Sequence, residues 1–160
     1  MNLPLELLLT IGGVPIFTGW DGKYVCFISD LDICNDGSGP PHGDPSYQSE
    51  TAYYNGGKYL NADKDKYIVT PPQVRKMVPP VVMGCQGRVT NLRKPAQSSW
   101  GVVGDIGPDD ITGEAAYCLA KVVCPSITHN TGDDHTIYLY EFWPGIAAVV
   151  DGKTYKLEPA

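Results

Sequence analysis

Along the first third of the chain, apolar and polar positions alternate in two runs, 14–20 (VPIFTGW) and 23–31 (KYVCFISDL), separated by Asp21-Gly22. Period-two alternation of β-branched and aromatic residues describes half-buried strands, and a two-residue Asp-Gly connection favours a tight hairpin. The pattern predicts a β-hairpin at the start of the domain. Short strands are expected again at 50–54, 66–70, 81–83, 87–90 and 99–104, with Asn55-Gly56-Gly57 and Pro71-Pro72 as punctuation. The chain closes on 136–143, 147–150 and 153–157, the last two joined by a second Asp-Gly turn at Asp151-Gly152.

Only residues 114–123 (EAAYCLAKVV) carry a helical period, with Ala115, Cys118, Leu119 and Val122 on one face. Asp109, Asp110 and Thr112 are candidate caps at its start and Pro125 its stop. Between the first hairpin and the next strand lies a Gly/Pro/Asp-rich loop, 32–49, of a length that connections reach when they carry function. Neither an internal repeat nor a low-complexity tract interrupts the pattern.

Composition sharpens the class. Eighteen Gly and fourteen Pro in 160 residues mean many turns between short strands, so the chain reads as a β-rich single domain, 1–160. A net charge of −6 disfavours a nucleic-acid footprint and suits neutral or cationic partners. Cys26, Cys34, Cys85, Cys118 and Cys124 show no metal-ligand spacing, and their odd number leaves at least one thiol unpaired within a monomer; a Cys118–Cys124 disulfide stays open. His42, His129 and His135 likewise lack metal spacing and read as loop residues, so no metal or cofactor is expected. The opening MNLPLELLLTIGG is broken by Glu6 and lacks a basic start, and no run approaches a membrane span. Those features predict a soluble chain made in the cytoplasm, without its own export signal, acting outside the cell after release or lysis.

Chemistry concentrates in residues 100–116, WGVVGDIGPDDITGEAA, where an apolar run ends at Asp105, a Gly-Pro turn follows, and Glu114 comes nine residues later. Folded back by the turn, two carboxylates can flank a substrate at the 6.5 to 9.5 Å that an inverting glycosidase needs, one as acid and one activating a water.

That stretch, continued as WGVVGDIGPDDITGEAAYCLA, resembles the signature of family 75 glycoside hydrolases, the endo-chitosanases; SDLDICNDGSG, YQSETAYY and KYIVTPP extend the likeness over about 24–125. The resemblance implies that Asp105 and Glu114 are the catalytic pair. It also implies substrate binding at Asp30, Asp32, Asp36, Tyr47, Gln48 and Glu50, and an endo-acting cleavage of β-1,4 glucosamine linkages in chitosan by an enzyme expected to be a monomer without cofactor. VVGDIGP is similar to the Asp-Gly-Pro turn of double-psi β-barrels, which implies a small six-stranded barrel with one helix packed on it.

Electrostatics suggests a division of labour. A carboxylate in the first turn of a helix is stabilised by the dipole and suits a base, which is the role expected of Glu114; Asp105, at the end of an apolar strand, is expected to be desolvated and to act as the acid. Asp44 joins Asp30, Asp32 and Asp36 as acids able to hold glucosamine ammonium groups. Tyr47, Tyr53 and Trp100 are candidate rings for stacking on sugars. Two other readings remain at this point: a peptidoglycan-cleaving lytic transglycosylase or lysozyme-like enzyme working through Asp105 alone, and a non-catalytic glycan-binding barrel.

Overall fold

The computed structural model describes residues 4–19, 21–78 and 80–158. Its strands are β1 (Leu5–Ile11), β2 (Val14–Gly19), β3 (Val25–Cys34), β4 (Tyr54–Asn55), β5 (Lys58–Tyr59), β6 (Tyr67–Thr70), β7 (Cys85–Asn91), β8 (Ser98–Ile106), β9 (Glu114–Ala116), β10 (Asp133–Ala147), β11 (Val149–Val150) and β12 (Lys153–Thr154). One 3-10 turn spans Pro72–Lys76, and α1 spans Tyr117–Val123.

The fold is mainly β, a closed six-stranded barrel with a single helix. Neighbours around the ring run β3, β10, β7, β8, β6, β9 and back to β3. Two contacts, β3–β9 and β6–β8, are parallel; the other four are antiparallel. Closure removes the exposed edges that an open sheet of such short strands would present. Alternation along β7, where Cys85, Gly87, Val89 and Asn91 are buried and the residues between them are half-buried, sends every second side chain inward. Phe27, Tyr138, Tyr140 and Phe142 fill the interior, with the Phe27 and Tyr140 rings stacked at 5.1 Å and 16°. Half of the ten tyrosines, Tyr53, Tyr67, Tyr138, Tyr140 and Tyr155, therefore serve as core.

The predicted first hairpin forms: Gly19 N donates to Tyr24 O and Gly22 N to Gly19 O, with Phe17 opposite Cys26; Trp20 lies outside the described residues. The apolar N-terminal run, for which no strand was expected, forms a further hairpin, β1 against β2. The last Asp-Gly turn also forms, with positive φ at both Asp151 (51°) and Gly152 (80°), the pair of dihedrals that a type I′ turn requires.

Three expectations change. Of the strand expected at 50–54, only Tyr54 is in a strand, in the small β4–β5 hairpin around Gly56-Gly57. Residues 81–83 are buried but irregular, with Val81 N donating to Val74 O. The helix begins three residues late: 114–116 are strand, because they pair with β3 on one side and β6 on the other. Its cap residue is then Ala116 without a side-chain cap bond, rather than Asp109, Asp110 or Thr112, and its buried face is Leu119, Ala120 and Val123. All five cysteines are free thiols, Cys118 and Cys124 included. Among the described residues no helix is long and apolar enough to cross a membrane.

Candidate active site

Strand register assembles the site. In the parallel β6–β8 pairing, Ile68 faces Val103 but Val69 faces Asp105, so Gly104 is the extra residue of a bulge. Bulges re-aim side chains, and this one sets Asp105 opposite Val69. On the other side of β6, Val69 faces Glu114, and Glu114 in turn faces Asp32 of β3. One hydrogen-bonded row across four strands thus reads Asp105, Val69, Glu114, Asp32, and paired residues on neighbouring strands share a face of the sheet. Glycines open the row: a Cβ at Gly107 would sit 3.1 Å from Val69 Cγ1 and 3.4 Å from Glu114 Oε2.

The row opens into a cavity of about 550 Å³, a volume typical of ligand sites. Asp32, Asp36, Asp44, Asp105 and Glu114 all line it, with Gln48 on the loop side, and no Lys, Arg or aromatic ring is among its described lining residues. Tyr67, fully buried, ties the acidic loop to the barrel by donating its hydroxyl to Asp36 O at 2.7 Å. Asp36 Oδ1 accepts from Gln48 N at 2.8 Å, and Asp44 accepts from Ser46 N and Asn35 Nδ2 at 2.8 and 3.1 Å.

Crowding of acids in a water-poor pocket sets their protonation. Burial, followed by the charges of Asp32, Asp105 and Asp36, pushes Glu114 up to about 7. Burial raises Asp105 to about 6 against the pull of two backbone donors, Ala52 N and Ile106 N, both 2.9 Å from Oδ1. Asp32 rises to about 6 through burial and then Asp30 and Asp134. Asp36 is raised too, again chiefly by burial. The dipole argument for a low Glu114 is therefore overturned: Glu114 sits on a strand, and it is the carboxyl that holds a proton to the highest pH of these.

Of the other residues singled out in the sequence, Gln48 lines the cavity, whereas Asp30, Tyr47 and Glu50 are not among its lining. Asp30 lies beside Ser29, whose hydroxyl is 3.4 Å from Asp30 Oδ1; Tyr47 spends its hydroxyl on Gly37 O and Gly39 O; Glu50 is exposed. Tyr53 is buried against Tyr155, and Trp100 lies on the outer barrel face under the Arg88 guanidinium. Asp44, Ile111 and the Gly107-Pro108 turn complete the pocket. Sequence spacing also hid a grouping outside the cavity, His42 and His129 around Asp63, because its members come from three distant loops.

No family model and no curated protein matches the sequence.

Proposed function

We propose that this protein is an endo-acting glycoside hydrolase that cleaves β-1,4 glucosamine linkages in chitosan by inversion, with Asp105 and Glu114 as its working pair. The observation that carries the reading is the in-register row that places both carboxyls, with Asp32, on one wall of an acidic cavity.

Asp105 and Glu114 stand two strand spacings apart, about 9.5 Å at the backbone. The rotamers of the two side chains then set the carboxyl separation, and inversion requires about 6.5 to 9.5 Å, enough room for a water between them. Glu114, pushed to about 7, keeps its proton and suits the acid that protonates the leaving oxygen. Asp105 has Oδ1 committed to two backbone N–H groups, which favour the carboxylate, and suits the base that orients water through Oδ2. These roles reverse those that a helix-terminal Glu114 would have had. Ammonium groups of glucosamine find the carboxyl groups of Asp32, Asp36, Asp44 and Asp105 beside the protonated Glu114 and no competing cation in the lining, whereas a neutral sugar would find no aromatic platform there.

The test is hydrolysis of chitosan followed by release of reducing ends, with the anomer identified by NMR before mutarotation. The expected product is the α-anomer, and Asp105→Asn and Glu114→Gln should each lower the rate by at least about 10²-fold, the scale of general acid-base catalysis. An initial β-anomer would mean a covalent route. Turnover of peptidoglycan by the Glu114→Gln variant would favour a transglycosylase using Asp105 alone, and binding without new reducing ends would leave a glycan-binding barrel.

A further inference from the structure

Away from the carboxylate row, two imidazoles close on one carboxylate. His42 Nε2 lies 2.6 Å from Asp63 Oδ2, and His129 Nε2 lies 2.9 Å from Asp63 Oδ1. The three donor atoms all fall within 4.8 Å of one another. We infer that His42, Asp63 and His129 form a binding site for one divalent transition-metal ion of the zinc type, with an open position for water.

The donor set fits that chemistry. Two imidazole nitrogens and a carboxylate oxygen are borderline ligands suited to zinc, and three protein ligands plus water make a common four-coordinate arrangement. With bonds of about 2.0–2.1 Å, tetrahedral donors sit roughly 3.3 Å apart, so the observed N–O separations of 2.6 and 2.9 Å have to open by roughly 0.7 and 0.4 Å.

The rings must also turn. They stack at 3.5 Å and 20°, with Tyr117 stacked on the far side of His129 at 3.5 Å and 19°, so their Nε2 atoms now point side by side at the carboxylate. Imidazole χ2 is a broad torsion that permits the turn. Each ring then binds as its neutral Nδ1–H tautomer.

Each ligand is held from behind. Asn130 Nδ2 donates to His42 O at 2.8 Å, Asn35 Nδ2 to His129 O at 2.7 Å, and Asp63 N to Asn61 Oδ1 at 2.9 Å. His42 also keeps a left-handed φ of 52°, a strained conformation for a residue with a Cβ and one found disproportionately at functional sites. All three side chains are 25–28% exposed, which leaves water access to the open position.

Such an ion would clasp three loops rather than enter the reaction. His42 belongs to the loop that carries Asp36 and Asp44. His129 lines a second cavity, of about 270 Å³, that shares Asp32, Ile33 and Asp44 with the first.

The decisive experiment is titration of the chelator-stripped full chain with Zn²⁺ by calorimetry, together with ¹⁵N NMR of the histidine rings. One ion per chain is expected, shifting the Nε2 signals of His42 and His129 but leaving His135 in place. His129→Gln and Asp63→Asn should each weaken uptake by about 100-fold or more, since even outer-shell changes cost 10- to 100-fold. Asp134→Asn, in the separate acidic group with Asp30 and Asp32, should leave it unchanged. No saturable uptake, or uptake that leaves the two rings' signals unmoved, would overturn the inference whether or not the variants fold. Chitosan hydrolysis plays no part in the readout, so the outcome is independent of the proposed activity.

Discussion

Glu114 and Asp105 are both acids in one pocket, and their surroundings separate them. Glu114 has three carboxylates facing it, Asp32 from β3, Asp36 from the loop and Asp105 from β8, with Cys34 beside it. Asp105 has two N–H donors. With the proposed acid, Glu114, near 7 and the proposed base, Asp105, near 6, the pH profile of kcat/KM should be a narrow bell, rising through about 6 and falling through about 7. Removing the facing charge by Asp32→Asn should move the alkaline limb to lower pH. Stability runs the other way from the usual carboxylate case. Folded values above the unfolded ones mean that the native state holds more protons between about 4 and 7, so stability is greatest below about 4 to 5 as far as these groups act and is lost as pH rises through the folded values. Melting scans at pH 5 and pH 8 check the sign, and a wild-type melting point that rises across that interval would contradict it.

At the scale of elements, three residues decide the geometry. β9 is only Glu114–Ala116, yet it closes the barrel and carries Glu114 into the acidic row. Gly113 makes its close approach possible: φ is 86°, and a Cβ there would lie 2.5 Å from both Asp30 Oδ1 and Ser29 Oγ. Gly113→Ala should therefore cost about 2 kcal/mol or more and lower activity by displacing the next residue, Glu114. Gly43→Ala is the matched control, with φ 74° but nothing within 4 Å of its Cβ, and should cost about 1 kcal/mol from backbone conformation alone. Urea midpoints measure both, and equal costs would show that the contact with β3 does not matter. The same element explains why the helical period over 114–123 exceeds the helix, Tyr117–Val123. EAAYCLAKVV is rich in helix formers, but residues 114–116 satisfy the backbone groups of two neighbouring strands, and that pairing overrides local propensity.

For the whole molecule, the charge of −6 and the acidic lining act together. Attraction of a polycation to the surface is screened over about 10 Å at 0.1 M salt, whereas the buried row is largely sheltered. If chitosan is the substrate, as proposed, added salt should accordingly raise KM for it and leave kcat nearly constant. Deacetylated substrate should outpace chitin, which lacks the ammonium groups. Initial rates on both polymers across a salt series check this, and equal rates on the two at low salt would remove charge as the source of selectivity.

Much of this was legible without coordinates where the cause is local. Period-two runs, the Asp-Gly turns at 21–22 and 151–152, and the single helical stretch come from side-chain alternation and dihedral preference, which act over a few residues. The six-stranded barrel was implied by the resemblance of VVGDIGP to the Asp-Gly-Pro turn of double-psi barrels, and the choice of Asp105 and Glu114 by the family resemblance of the same stretch. What needed the tertiary structure was everything set by register and burial. The Gly104 bulge aims Asp105, the pairing of β9 makes Glu114 a strand residue, and burial among other acids raises it, reversing the order of protonation read from a supposed helix end. His42, Asp63 and His129 were invisible for the same reason: they are 21 and 66 residues apart in sequence, and only the packing of three loops brings their donors together.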